Sequence, residues 1–86
     1  MSKLINLLDG DGLLEHWPSK RSVQLEALEY IANKIDKGAQ FTEAEINVKL
    51  KSLHTFGDWA ILRRELCETG YLKRDKNGYC YERTDK

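Results

Sequence analysis

Thr42-Glu43-Ala44-Glu45 is a capping box, and it opens a run of local signals that reaches Arg83 and leaves few ways to fold. The Thr42 hydroxyl can accept from the Glu45 N–H, while the Glu45 carboxylate reaches back to the Thr42 N–H, so a helix starts here. Ile46, Leu50 and Leu53 recur at helical spacing and form its buried face. Asp58 is a candidate N-cap for the next helix, and Gly70 stands where a left-handed residue would stop it. Lys73 to Tyr81 then reads as strand, Asn77-Gly78 turn, strand. Two short helices followed by a tight hairpin predict an α+β winged helix-turn-helix. It would hold three helices, a C-terminal β-hairpin wing and a short N-terminal arm.

Upstream, Val23, Ala27, Leu28, Ile31 and Ile35 fall on one face at helical spacing and predict a long helix from about Ser19 to Lys37, with Gly38 as its stop. Leu25, Tyr30 and Ala32 are expected to widen that stripe. Ala39-Gln40-Phe41 is short and suits a third strand beside the hairpin. Residues 1–17 form the arm and residues 18–86 the domain. The arm carries Leu4, Ile5, Leu7 and Leu8, a turn at Asp9-Gly10-Asp11-Gly12, and Leu13-Leu14. An EF-hand is excluded, because the twelfth position counted from Asp9 is Lys20 and not glutamate. The expected core is Val23, Leu28, Ile31, Ile35, Ile46, Leu50, Leu53, Leu62, Leu66 and Leu72.

At 86 residues the chain makes one domain able to fold without staples. No apolar run approaches the roughly 20 residues of a membrane span, and the N-terminus lacks a signal-peptide cleavage site, so the cytoplasm is expected. Cys67 and Cys80 form no CxxC pair, and with His16 and His54 they make a poor zinc set, so they read as reduced packing cysteines. His16 and His54 stand far from any acid or nucleophile at diagnostic spacing and read as surface or loop residues. The sequence contains no P-loop, nucleophile elbow, HExxH or glycine-rich dinucleotide fingerprint. The capping role accounts for Glu43 and Glu45, so a non-enzymatic domain without cofactor or metal is expected.

Charge divides the remaining functions. The 14 basic and 14 acidic residues cancel, whereas domains that hold duplex through phosphates usually carry a positive excess. Residues 1–18 hold Lys3 against Asp9, Asp11 and Glu15, and residues 71–86 hold Lys73, Arg74, Lys76, Arg83 and Lys86 against Asp75, Glu82 and Asp85. The basic cluster is therefore the hairpin. Projected at about 100° per residue, the third helix buries Trp59, Leu62 and Leu66 and turns Ala60, Ile61, Arg64, Cys67 and Glu68 outward. That face is poor in base-reading groups.

Arg63, at the boundary of the face, either contacts nucleic acid or pairs with an acid such as Glu45 or Asp58. Arg64 points outward. Lys73, Arg74, Lys76 and Arg83 either lie along a phosphate strand or protect the sheet edge with charge. If all four met phosphates, binding would fall with salt at a log–log slope near −4, about −0.9 per contact. Lys20 and Arg21 oppose the dipole of the long helix and need a partner, an acid from the arm or a phosphate. Trp17, Trp59, Tyr71, Tyr79 and Tyr81 read as core and sheet-face residues, with Tyr79 and Tyr81 on one face of the last strand.

Phe41-Thr42-Glu43-Ala44-Glu45-Ile46-Asn47 is preceded by Pro18-x-Lys20. It is followed by Asp58-x-Ala60-x-Leu62-Arg63-Arg64-Glu65-Leu66, Gly70-Tyr71-Leu72-x-Arg74, Gly78 and Tyr81-x-Arg83. From about Leu13 to Arg83 this pattern resembles a bacterial domain of unknown function, family 2087. That is a small winged helix often found C-terminal to helix-turn-helix domains in transcriptional regulators. The resemblance implies the winged-helix fold and an association with transcription, without an established ligand. The larger members carry an N-terminal DNA-binding domain that this sequence does not contain. The chain then either binds nucleic acid itself, through Arg63, Arg64, Lys73, Arg74, Lys76 and Arg83, or serves as an interaction module. In the second case a protein partner or second copy would meet Ala60, Ile61 and Cys67 or the apolar arm. No membrane is expected as a partner.

Overall fold

The computed structural model describes residues 7–76 and 80–84. Helix α1 spans Arg21–Ala32, strand β1 Gln40–Thr42, helix α2 Glu43–Lys51, helix α3 Trp59–Thr69, strand β2 Leu72–Arg74 and strand β3 Cys80–Arg83. The three strands form one antiparallel sheet in the order β1-β3-β2, so the third strand expected beside the hairpin is present. Asn77, Gly78 and Tyr79, which carry the expected turn and one face-paired tyrosine, lie outside the described residues, as do Leu4 and Ile5 of the arm.

Local chemistry explains where α2 and α3 begin and end. The Glu45 N–H donates to Thr42 Oγ1 at 3.1 Å, and the Thr42 N–H donates to Glu45 Oε1 at 2.8 Å, which completes the capping box. Glu43 and Glu45 lie in the first turn of α2 and Lys49 and Lys51 in the last, both matched to the helix dipole. Asp58 Oδ1 accepts from the Ile61 N–H at 3.2 Å and starts α3. Gly70, with φ of 90°, ends it. There the Tyr71 N–H donates to the Leu66 carbonyl at 2.9 Å, and the Gly70 N–H to that of Cys67. This pair is a Schellman motif, and its left-handed residue is why glycine stands at that position.

Helix α1 is shorter than the periodicity predicts. It stops at Ala32 rather than Lys37, because the Ala32 carbonyl accepts from the Ile35 N–H at 3.0 Å and from Arg83 Nε at 2.9 Å. The chain leaves the helix through that tight turn, yet Ile35 remains buried. Val23, Ala27, Leu28, Ile31 and Ala32 form the buried stripe of α1, while Leu25 is 36% exposed and does not widen it. The first turn of α1 carries neither acid nor side-chain cap. Arg21 finds its partner on α3, with Nη1 2.8 Å from Glu65 Oε2, rather than on the arm.

The core joins Leu28, Ile31, Ile46, Leu50, Leu62, Leu66 and Leu72 with Leu14 and Tyr81, which the expected core omitted. Leu53, expected inside, is only partly buried and packs against that cluster. Leu14 arrives on the arm. Its N–H donates to the Leu53 carbonyl at 3.2 Å, and its carbonyl accepts from the Thr55 N–H at 2.8 Å. Tyr30 Oη also holds the arm, donating to the Gly12 carbonyl at 2.7 Å. Among the described residues no helix is long and apolar enough to cross a membrane.

Candidate nucleic-acid interface

Helix α3 packs Leu62 and Leu66 into the core, which leaves Ala60, Arg64 and Glu68 exposed and Ile61 and Cys67 half-buried. The projected division of faces holds for Leu62, Leu66, Ala60, Arg64 and Glu68, whereas Trp59, expected inside, and Ile61 and Cys67, expected outside, are all partly buried against the core. Strand β2 follows directly after the Gly70 stop, so the hairpin rises beside that outward face.

The strand register sorts the hairpin cations. Leu72 pairs with Arg83, Lys73 with Glu82 and Arg74 with Tyr81. Side chains alternate along a strand, so buried Leu72 and Arg74 share one side of β2, while Lys73 lies on the other beside Glu82. Arg74 thus leans over α3. It lines, with Arg63, Arg64, Ile61, Cys67 and Tyr81, an open concavity of about 580 Å³ between helix and hairpin.

Arg63 is clamped at the back of this cleft. Its Nη1 donates to Asn47 Oδ1 at 2.7 Å and lies 3.3 Å from Glu43 Oε1, so its partners are Asn47 and Glu43 of α2 rather than the expected Glu45 or Asp58. The guanidinium also lies 5.3 Å from the centre of the Trp59 ring and 5.7 Å from that of Tyr81. Arg64 is free by comparison. Its side chain is 66% exposed, and among the described residues its ion pair, 3.8 Å from Glu65 Oε1, is to an acid that Arg21 already engages. Among the described residues Arg74 meets no carboxylate within salt-bridge distance. Lys73 and Lys76 are exposed.

Arg83 is the site residue that the structure removes from the surface. It is only 4% exposed, and it donates through Nε to Ala32 and through Nη1 to the Thr84 carbonyl. Its guanidinium also lies 5.4 Å from the centre of the Tyr71 ring. Along β3 the burial alternates, with Tyr81 and Arg83 inside. The same alternation, read from the sequence, puts Arg83 on the face of Tyr81 and away from solvent. Its cation serves the C-terminus of α1, where positive charge complements the dipole.

Cys67 sits on the cleft floor. Burial pushes its thiol up, Arg74 and then Arg63 pull it back, and Glu68 adds a smaller push upward. Both cysteines are free. His54, expected at the surface or in a loop, lies in the connection between α2 and α3 but is buried at 5% exposure, bridged to Leu14 of the arm. Its Nδ1 bears a proton donated to the Leu50 carbonyl at 2.7 Å, and its ring packs against Phe56. Among the described residues no cluster of His, Cys, Asp and Glu could hold a metal ion.

Comparison with curated proteins and with solved structures gives no match. The model of a bacterial family, DUF2087, covers residues 13–83, which takes in the arm's Leu14, all three helices and the hairpin. The chain belongs to this family, described as an uncharacterized protein conserved in bacteria.

Proposed function

We propose that the chain is a non-enzymatic winged-helix module that binds duplex nucleic acid in bacterial transcription regulation. In this reading the outward face of α3 and the hairpin are the contact surface. The observation that carries it is the meeting of Arg64 from α3 and Arg74 from β2 on one open cleft. Their forked donors suit phosphate oxygens. Lys76, exposed near the hairpin tip, extends the basic surface, and Arg63 supports it from behind. The outward helix face offers Arg64 as its one good base-reading group, so phosphate contacts dominate and sequence preference is weak. The two short helices with a hairpin beside the second support the winged-helix description, and the resemblance to regulator-associated domains supports the setting.

Fluorescence anisotropy of a labelled duplex tests the reading. The native chain binds at low salt, and an Arg64→Ala/Lys76→Ala double variant of unchanged stability binds more weakly. Equal binding by both sinks the site.

The second reading is a protein-interaction or dimerisation module. It is favoured by the zero net charge and by the partly apolar outward face of Ala60, Ile61 and Cys67. Leu7 and Leu8 are partly buried against the core, which leaves less of their surface for docking. A chain that elutes as a dimer and ignores duplex at low salt would favour this second reading.

A further inference from the structure

The space between α3 and the hairpin is a half-open concavity. At about 580 Å³ it falls within the range of small-ligand sites, roughly 300 to 1,000 Å³. Three guanidiniums from two elements line it, and each is in a different state of readiness. Arg63 is held by Asn47, Glu43, Trp59 and Tyr81, with only Nη1 engaged in those polar contacts. Arg74 meets no acid among the described residues. Among the described residues Arg64 meets the distant and shared Glu65. Arg74 and Arg63 both act on the Cys67 sulfur, so their fields overlap on the cleft floor. Ile61, Cys67 and Tyr81 make that floor partly apolar, which strengthens a charge-assisted contact made there.

From this arrangement we infer that the cleft is a binding site for a phosphate monoester group, seated over Cys67 between Arg63, Arg64 and Arg74. A phosphodiester within a duplex carries one charge. A monoester carries about −1.5 to −2 at neutral pH and presents three strong acceptor oxygens. Three forked donors around one open cleft match the monoester better. The phosphate comes either from a nucleic-acid strand end or from a small phosphorylated molecule. Asp58 and Glu68 line the same cleft and oppose an anion, so they limit the affinity. The inference shares its cleft with the nucleic-acid reading and rests on that reading's cations, but it does not require a duplex.

The test is an amide-shift titration of the full chain with inorganic phosphate and with phenyl phosphate, against sodium chloride of equal ionic strength. Saturable shifts confined to residues 60–68 and 72–74, absent with chloride, are expected. Arg74→Ala weakens binding about tenfold or more, the loss of a charged hydrogen bond. Glu68→Gln strengthens it, a gain that a folding defect cannot imitate. Identical shifts with phosphate and chloride overturn the inference, as does unchanged affinity in both variants.

A 5′-phosphorylated oligonucleotide that displaces phosphate better than its 5′-hydroxyl twin identifies a strand end. Equal behaviour of the two, with tighter binding of phenyl phosphate than inorganic phosphate, identifies a small molecule. An unphosphorylated duplex that binds while both phosphate probes fail would remove this inference alone. Phosphate binding without duplex binding would remove only the duplex reading.

Discussion

Arg63 Nη1 on α3 donates to Asn47 Oδ1 on α2 across 2.7 Å. One side chain therefore ties two helices together and forms the back of the basic cleft, with Glu43, Trp59 and Tyr81 fixing its plane. The neighbouring Arg64, one residue on, is turned to solvent. Two adjacent arginines thus stand apart, one tying α3 to α2 and one turned to solvent.

Arg63→Ala removes a hydrogen bond to a charged donor, an ion pair and two ring contacts. It should lower stability by about 2 kcal/mol, whereas Arg64→Ala should stay within about 0.5 kcal/mol of the native chain. Urea unfolding of the two variants measures both. Equal stabilities would mean that Arg63 is not a tie between the helices.

The buried placement of Arg83 makes an opposite pair of expectations. Arg83→Ala takes one of two donors from the Ala32 carbonyl, which keeps the Ile35 N–H, removes the donor to the Thr84 carbonyl and takes the cation from the end of α1. A loss of about 2 to 4 kcal/mol is expected, seen as a fall of roughly 10 °C or more in Tm for a domain of this size. A variant that melts normally but loses nucleic-acid affinity would return Arg83 to the surface site.

The caps should behave as local devices. Thr42→Ala and Asp58→Ala each lose one hydrogen bond from a helix N-terminus, at about 1 kcal/mol apiece. The two sites share no partner, so the double variant should lose about the sum. Thermal melts of the three variants check this, and a double variant no less stable than either single one would contradict it.

Cys67 carries the pH dependence. Its folded thiol holds the proton more tightly than an unfolded thiol, chiefly because burial disfavours the thiolate. The stabilisation is therefore complete below the unfolded thiol's pKa and is lost as pH rises through the higher folded value. Cys67→Ala should lose less stability between neutral and alkaline pH than the native chain. Arg74→Ala, which removes the cation that most favours the thiolate, should slow alkylation of Cys67 by iodoacetamide. Unchanged alkylation would place Arg74 away from the cleft.

Much of this was readable because the signals are local. A capping box, an Asp cap and a left-handed glycine each act within a few residues, and all three stand in the structure as the sequence implies. A third strand, expected at Ala39–Phe41 beside the hairpin, stands at Gln40–Thr42, and periodicity marked Leu62 and Leu66 as the buried side of α3. The end of α1 was not, because a residue 51 positions away supplies a donor to Ala32. Leu14 was missed as core because only the contact with Leu53 and Thr55 draws the arm inward. The cleft itself was half visible. Arg64 and Arg74 stood out as cations, but the register that puts Arg74 opposite Tyr81 is what brings them together.

Duplex binding through α3 and the hairpin is tested most directly by titrating the labelled chain with a random-sequence duplex at low and moderate salt, following every amide. Shifts confined to residues 58–68 and 73–83, fading as salt rises, are predicted. With Arg83 inside and Lys73 beside Glu82, the contacts reduce to Arg64, Arg74 and Lys76, and the log–log salt slope should be near −3, at about −0.9 per contact. No shift at low salt, or shifts on the far side around α1, would contradict the account.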